Sequence, residues 1–255
     1  MNNTFNNSLL VFVISFGTLW FSAWFGTCFF RKKLPLQDGS RDSFGVIQAA
    51  TLTLLALIIG FSFSMAVDRY NQRKNYEEEE ANAIGTEYAR ADLLPSPDAA
   101  KVRALLREYL ELRLQFYTER DSDKLRQINT RTALAQKELW AAVVAPANQL
   151  PTPVIALAVS GMNDVLNAQG YTQSAWLNRI PTEAWLMMVA IAICGNLLVG
   201  YGAQLTTWKT ALLFVLPLVI AISFYLIADI DSPRRGYISI LPLNLTSLGE
   251  SLRGR

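Results

Sequence analysis

Few places in this sequence can do chemistry, because it contains no histidine. Ser-His, Cys-His and His-metal arrangements are therefore excluded. One acidic pair stands out, Asp229 and Asp231 in the run Asp229-Ile230-Asp231-Ser232-Pro233-Arg234-Arg235-Gly236. Two carboxylates at i and i+2 offer the oxygen ligands that Mg²⁺ or Ca²⁺ takes, so these two are the candidate metal residues. They equally suit pairing with Arg234, Arg179 or a basic residue of an earlier helix. Pairing is the simpler reading, since a hard cation wants more oxygens than are visible here. Phosphoryl or glycosyl transfer would need a Gly-rich loop, a lysine or further carboxylates, and these are missing. No enzyme activity and no cofactor are expected.

A second constellation lies along one helical stripe, where Thr53, Gly60, Ser64 and Asp68 recur with Leu57 between them. Lipid gives no reason for such a stripe. Close helix packing through Gly60-x-x-x-Ser64 does, and so does a water-lined path narrowed by Phe61 and Phe63. Immediately beyond stand Asp68, Arg69, Arg73 and Lys74, then Glu77-Glu78-Glu79-Glu80. Four consecutive glutamates reach every face of a helix. If copies of the helix surround an axis, Asp68, Arg69, Arg73, Glu77, Glu79 and Glu80 become stacked rings of charge that attract or reject ions. The plainer reading is a solvated face with Arg73–Glu77 and Lys74–Glu78 pairs, each worth about 0.2–0.5 kcal/mol.

These residues need elements to hold them, and composition says which. The chain has 255 residues, of which 51% are hydrophobic and 17% charged, against about 25% charged in an ordinary soluble domain. The shortfall is concentrated in four stretches. Span one runs from about Ser8 to Phe30 and is closed by Arg31, Lys32 and Lys33; it has no basic leader or small-x-small cleavage site and reads as an uncleaved helix. Span two covers roughly Phe44 to Val67. Span three starts at Pro181-Thr182-Glu183 and runs to about Ala203, and span four covers about Ala211 to Ala228. Pro181 suits a first helical turn, while Trp185 and Trp208 lie where an aromatic belt would meet head groups. Each run satisfies the roughly 20 residues that about 30 Å of hydrocarbon requires.

Between spans two and three the apolar spacing changes to that of amphipathic helices. Ser96 is expected to cap a helix with Pro97 at its first position, and Val102, Leu106, Tyr109, Arg113 and Phe116 form one stripe of it. Asp121 to Val144 repeats the pattern through Leu125, Ile128, Thr132, Ala135, Leu139 and Ala142, and a third segment starts at Pro151 and Pro153 and ends near Gly170. Helices amphipathic on one side need partners, which here are each other or neighbouring subunits. From Gly45 to Leu94 there is no proline, so one helix of about 50 residues, about 75 Å long, would begin in lipid and leave it.

Basic residues do not select an orientation. Arg31, Lys32, Lys33 and Arg41 in the first connection are balanced by Arg69, Arg73, Lys74, Arg179, Arg234 and Arg235 on the other side. Asn196 is the amide at depth in span three and is expected to bond across to a neighbouring helix. No Asp, Glu, Lys, Arg or His lies at depth inside a span, which opposes proton-coupled transport and leaves a passive pore open.

With these segments placed, the chain resembles the bacterial bestrophin-like integral-membrane family, named for its likeness to the bestrophin anion channels. The residues that carry the resemblance are Leu57-Ile58-Ile59-Gly60-Phe61-Ser62-Phe63-Ser64-Met65-Ala66-Val67-Asp68-Arg69-Tyr70, then Glu79-Glu80-Ala81-Asn82-Ala83-Ile84-Gly85-Thr86, Arg90-Ala91-Asp92-Leu93-Leu94-Pro95, and the aspartate-proline-glycine segment after span four. The resemblance implies an assembly of copies around an axis, an aromatic-lined neck on the second span, and a cytoplasmic helical region lining the rest of the path. Gly60-Phe61-Ser62-Phe63 followed by Arg69-Tyr70 resembles the family's glycine-phenylalanine element. The acidic calcium clasp of bestrophins has no counterpart beyond Asp229 and Asp231, and the glutamate run would oppose anions if it faced the path.

The expected fold is all-α: a four-span helical membrane protein with a helical soluble bundle between spans two and three and a long span-two helix extending into it. Its expected divisions are spans one and two in 1–67, the helical region in 68–180, spans three and four in 181–228, and a tail in 229–255. The expected function is an oligomeric ion channel or channel-like protein of the bacterial inner membrane, with span two lining the axis. The alternative is a membrane-anchored helical sensor or scaffold without conduction. Expected partners are the lipid bilayer, copies of the chain and ions; a formal net charge of +2 gives no argument for nucleic acid.

Overall fold

A computed structural model describes residues 8–30, 33, 38–203, 209–234 and 236–254. Arg31, Lys32, Trp208 and Arg235 lie outside the described residues. The fold is all-α, with eight α-helices and no strand among the described residues. They are α1 (Ser8–Phe25, continued by a π-helical turn, Gly26–Phe30), α2 (Arg41–Arg90), α3 (Ser96–Thr118), α4 (Ser122–Gln149), α5 (Pro153–Leu177), α6 (Thr182–Gly202), α7 (Lys209–Asp231) and α8 (Leu243–Arg253). Four helical stretches are long and apolar enough to cross a membrane. The chain divides into two compact units, one of residues 1–70 and 179–239, the other of residues 71–178 and 240–255.

The first unit holds α1, the first thirty residues of α2, α6 and α7. Helix α1 packs on both α6 and α7. The core contains Leu19, Leu55, Trp185, Met188, Ile220, Phe224 and Ile227, with the Trp185 and Phe224 rings edge to face at 5.9 Å between centroids. The outward faces carry Leu10, Val13, Ile14 and Phe21 on α1 and Val215, Val219 and Ile222 on α7. Exposed aliphatic surface of this density is expected where the solvent is lipid.

The crossing of α1 and α6 depends on Gly200. A Cβ at this position would fall on the backbone of Ala23. Gly200→Val is therefore expected to force the two helices apart at a cost of about 1–3 kcal/mol or more, and even Gly200→Ala is strained. The measurement is the thermal stability of purified full-length protein in detergent.

The second unit is a helical bundle. Helix α3 packs on α4 and α8, and α4 packs on α5; Val102, Leu106, Leu112, Leu139, Val143 and Met162 fill the interior. Its helix starts follow capping rules at two places. Asp121 accepts from the backbone N–H of Asp123 and Lys124, both at 2.9 Å, to start α4, and Thr152 accepts from Ile155 N at 3.3 Å to start α5. The expected cap at Ser96 is not made. Pro95 occupies the cap position, where it has no side-chain acceptor, so Ser96 is already the first helical residue and no side chain caps this end. Helix α5 also continues beyond Gly170 to Leu177, since a single interior glycine costs only about 1 kcal/mol.

Helix α2 is unbroken for 50 residues, close to 75 Å. Its last twenty residues belong to the second unit. The tail after α7 is divided, with residues 232–239 in the first unit and α8 in the second.

Candidate functional site

The two faces of α2 differ in kind. Its buried face carries Leu55, Ser62 and Ala66, then Arg73, Glu77, Glu80, Ile84 and Glu87. The opposite face is exposed along its length. Thr53, Leu57, Gly60, Ser64, Asp68, Asn71, Asn75, Glu78 and Asn82 recur there at spacings of three and four, so they share one stripe. Phe61 and Phe63, 65% and 42% exposed, flank this stripe on its two sides. Phe63 also lines an apolar groove of about 470 Å³ with Leu55, Ile59, Leu216, Val219 and Ile227.

Three residues expected on a charged exit ring are instead taken up inside their own chain. Arg73 donates from Nε to the Ala175 carbonyl at 3.1 Å and from Nη2 to the Asn178 carbonyl at 3.0 Å. These carbonyls belong to the C-terminal end of α5, where a cation complements the helix dipole. Glu77 sits at the other kind of helix end: it accepts from Leu245 N at 2.9 Å and Asn244 Nδ2 at 2.6 Å at the start of α8, where negative charge is favoured. Glu80 pairs with Arg113 and accepts from the Thr172 hydroxyl at 3.1 Å and the Tyr117 hydroxyl at 3.3 Å. Arg69 is half-buried and lies 3.5 Å from Asp231. Asp68 and Glu79 are exposed, and so is Glu78, which was not among the expected ring residues.

Around the Glu80–Arg113 pair the electrostatics are those of a buried site. Both side chains are fully buried, and the guanidinium lies over the Phe116 ring at 4.3 Å. Burial works most strongly against the Arg113 charge, but Glu80 together with Tyr109 and Tyr117 outweighs it and raises the pKa. Burial, reinforced by Glu80, pushes the hydroxyls of Tyr109 and Tyr117 well above the usual phenol range. Arg113 had a signal in the sequence: it interrupts an otherwise apolar stripe, and a charge on a packed face needs a buried partner.

Around Asp229 and Asp231, as elsewhere among the described residues, no group of three or more His, Cys, Asp or Glu side chains comes together that could hold a metal ion. Their oxygens are already occupied. Asp229 accepts from the Ser8 hydroxyl at 2.7 Å, Tyr237 N at 2.9 Å and Ile238 N at 2.8 Å. Asp231 accepts from Ile180 N at 3.2 Å and pairs with Arg69. Asn196 bonds back to the Ala192 carbonyl of its own helix at 2.8 Å rather than across to a neighbour.

The sequence matches the family model described as Bestrophin-like domain over residues 18–245. No curated protein matches it. Among solved structures it is similar to a bacterial bestrophin homolog from Klebsiella pneumoniae solved by Zn-SAD phasing, at 12% identity over 96% of this chain and 97% of that one, with a TM-score of 0.66. A point-mutant form of the Klebsiella pneumoniae homolog gives 13% identity over 96% and 97% at 0.66, and a mutant structure described only as a membrane protein gives 12% over 97% and 97% at 0.66. Likeness at this identity concerns the fold alone.

Proposed function

The chain belongs to the bestrophin-like family, and from that premise we propose that it assembles with copies of itself in the bacterial inner membrane as a channel whose path is lined by the exposed face of α2. The observation that carries this reading is the character of that face. From Thr53 through Gly60 and Ser64 to Asn82 the stripe is small or polar at every position but Leu57, with Leu54, Phe61, Phe63 and Met65 exposed beside it, whereas the outward faces of α1 and α7 are mainly aliphatic and aromatic. Polar residues facing lipid are costly, so a polar stripe on a membrane helix points to packing or water. Placed around a symmetry axis, one stripe per copy makes a continuous wall. Phe61 or Phe63 would then narrow it, as hydrophobic constrictions gate by dewetting. Asp68, Glu78 and Glu79 supply negative charge where the path leaves the apolar segment.

Gly60 separates the packing role from the pore role. A Cβ there meets nothing within 4 Å, so Gly60→Leu leaves the protomer intact and improves local helix propensity by about 1 kcal/mol. In reconstituted planar bilayers wild type is expected to give unitary currents and Gly60→Leu to abolish them while the assembly keeps its size on a native gel. Silence of wild type towards cations and anions overturns the channel reading. Loss of assembly in Gly60→Leu assigns the stripe to packing between copies.

A second reading, a membrane-anchored scaffold, is favoured by the outward apolar residues of the bundle: Leu134 and Trp140 on α4, and Val154, Leu157 and Tyr171 on α5. Under that reading full-length protein captures one specific partner, and Leu134→Ser with Leu157→Ser releases it without changing the assembly.

A further inference from the structure

Glu87 is fully buried on α2, and neither oxygen of its carboxyl has a hydrogen-bond partner. Opposite it α5 presents Gly161, where a Cβ would run into the Glu87 carboxyl and the Arg90 side chain. The glycine is what lets the carboxyl into the helix contact. Two charged groups act on it. Arg90, on its own helix, and Asp164, on α5, pair with each other at 3.7 Å, and their side chains are 33% and 60% exposed. Nearby, Asp92 and Arg103 form their own pair. A carboxylate without donors in such a place is costly, and the neutral acid costs much less.

We propose that the Glu87 carboxyl is a proton-operated latch on the α2–α5 contact. Protonated, it occupies the space opposite Gly161. Deprotonated, it draws Arg90 away from Asp164 and loosens the contact, the proton passing to solvent. Burial first pushes the Glu87 pKa up; Arg90 pulls it down, Asp164 raises it further, and it lies at about 8 against an ordinary 4.5. A group raised on closing binds its proton more tightly in the closed state. The latch is therefore fully held below about pH 4.5, weakens as pH rises from there, and contributes nothing more above about 8. The consequence for conduction rests on the channel reading above, because α2 is the helix whose other face would line the path. The latch itself does not.

Hydrogen exchange on full-length protein in lipid nanodiscs reads the contact without any current. After correction for the intrinsic pH dependence of exchange, the amides of residues 84–90 and 155–165 are expected to lose protection about tenfold or more between pH 6 and pH 9. Glu87→Gln, neutral at every pH, is expected to show no such loss. Asp164→Asn removes the charge that raises Glu87 and the competitor for Arg90, so its transition moves to lower pH. Equal corrected protection of wild type at both pH values overturns the latch, as does a loss that persists in Glu87→Gln. Should Glu87→Gln fail to fold, an unmoved transition in Asp164→Asn overturns it equally. A protein that switches in exchange but is silent in bilayers removes the channel reading alone.

Discussion

Arg113→Ala is expected to destabilise the bundle by about 3–5 kcal/mol, a large share of the stability of a folded domain. The reason is asymmetric. In wild type the guanidinium and the Glu80 carboxylate are both fully buried and cancel each other. Removing Arg113 strands a carboxylate whose remaining donors are two neutral hydroxyls, those of Tyr117 and Thr172. Two hydroxyls do not replace an opposite charge. The double variant Glu80→Gln with Arg113→Met removes both charges and keeps the volume, and it is expected to recover most of the loss, because a buried pair gains little over well-packed neutral groups. Trp176 reports the outcome once the other tryptophans are replaced by Phe: its ring lies 5.1 Å from Phe116 and 5.3 Å from Tyr117, so its fluorescence then follows denaturant unfolding at this spot. A double variant as unstable as Arg113→Ala would show that the pair, and not the stranded charge, carries the stability.

Asp229→Ala is the counterpart in the membrane unit, with an expected cost of about 3 kcal/mol or more, since hydrogen bonds to a charged acceptor contribute about 1.5–3 kcal/mol each and three are lost together. The Ser8 hydroxyl and the amides of Tyr237 and Ile238 all donate to this one buried side chain. It therefore ties the start of α1 and the segment after α7 to the end of α7. Trypsin cleavage after Arg234 in detergent is the measurement, and it is expected to accelerate in Asp229→Ala and less in Asp229→Asn, which retains one acceptor. Added Ca²⁺ or Mg²⁺ is expected to leave the wild-type rate unchanged, because the carboxylate is already satisfied by N–H and O–H donors. Protection by either ion would restore the metal reading of Asp229 and Asp231.

The buried polar residues show where reading by periodicity stops. The stripe through Thr53, Gly60, Ser64 and Asp68 was visible as a helical face, because the 3.6-residue period is a property of the chain alone. Four glutamates in a row were equally visible, but the period does not say which of them turns inward. Glu77 and Glu80 are buried because a helix N-terminus and a guanidinium arrive to meet them, while Glu78 and Glu79 have no such donors and stay exposed. Glu87 gave no signal, since its burial depends on a glycine 74 positions later, Gly161.

The four apolar runs, the long helix expected over Gly45 to Leu94 and found over Arg41 to Arg90, and the amphipathic helices between spans two and three followed from composition, spacing and the absence of proline. Transfer into lipid and helix continuity depend on residues close together in the chain, so a local reading captures them. The roles of the charged side chains were decided by tertiary structure. Thr172 reaches Glu80 from 92 positions away and Ser8 reaches Asp229 from 221. The cost of burying a charge is set by whichever donors the fold brings beside it, and no local pattern specifies those donors.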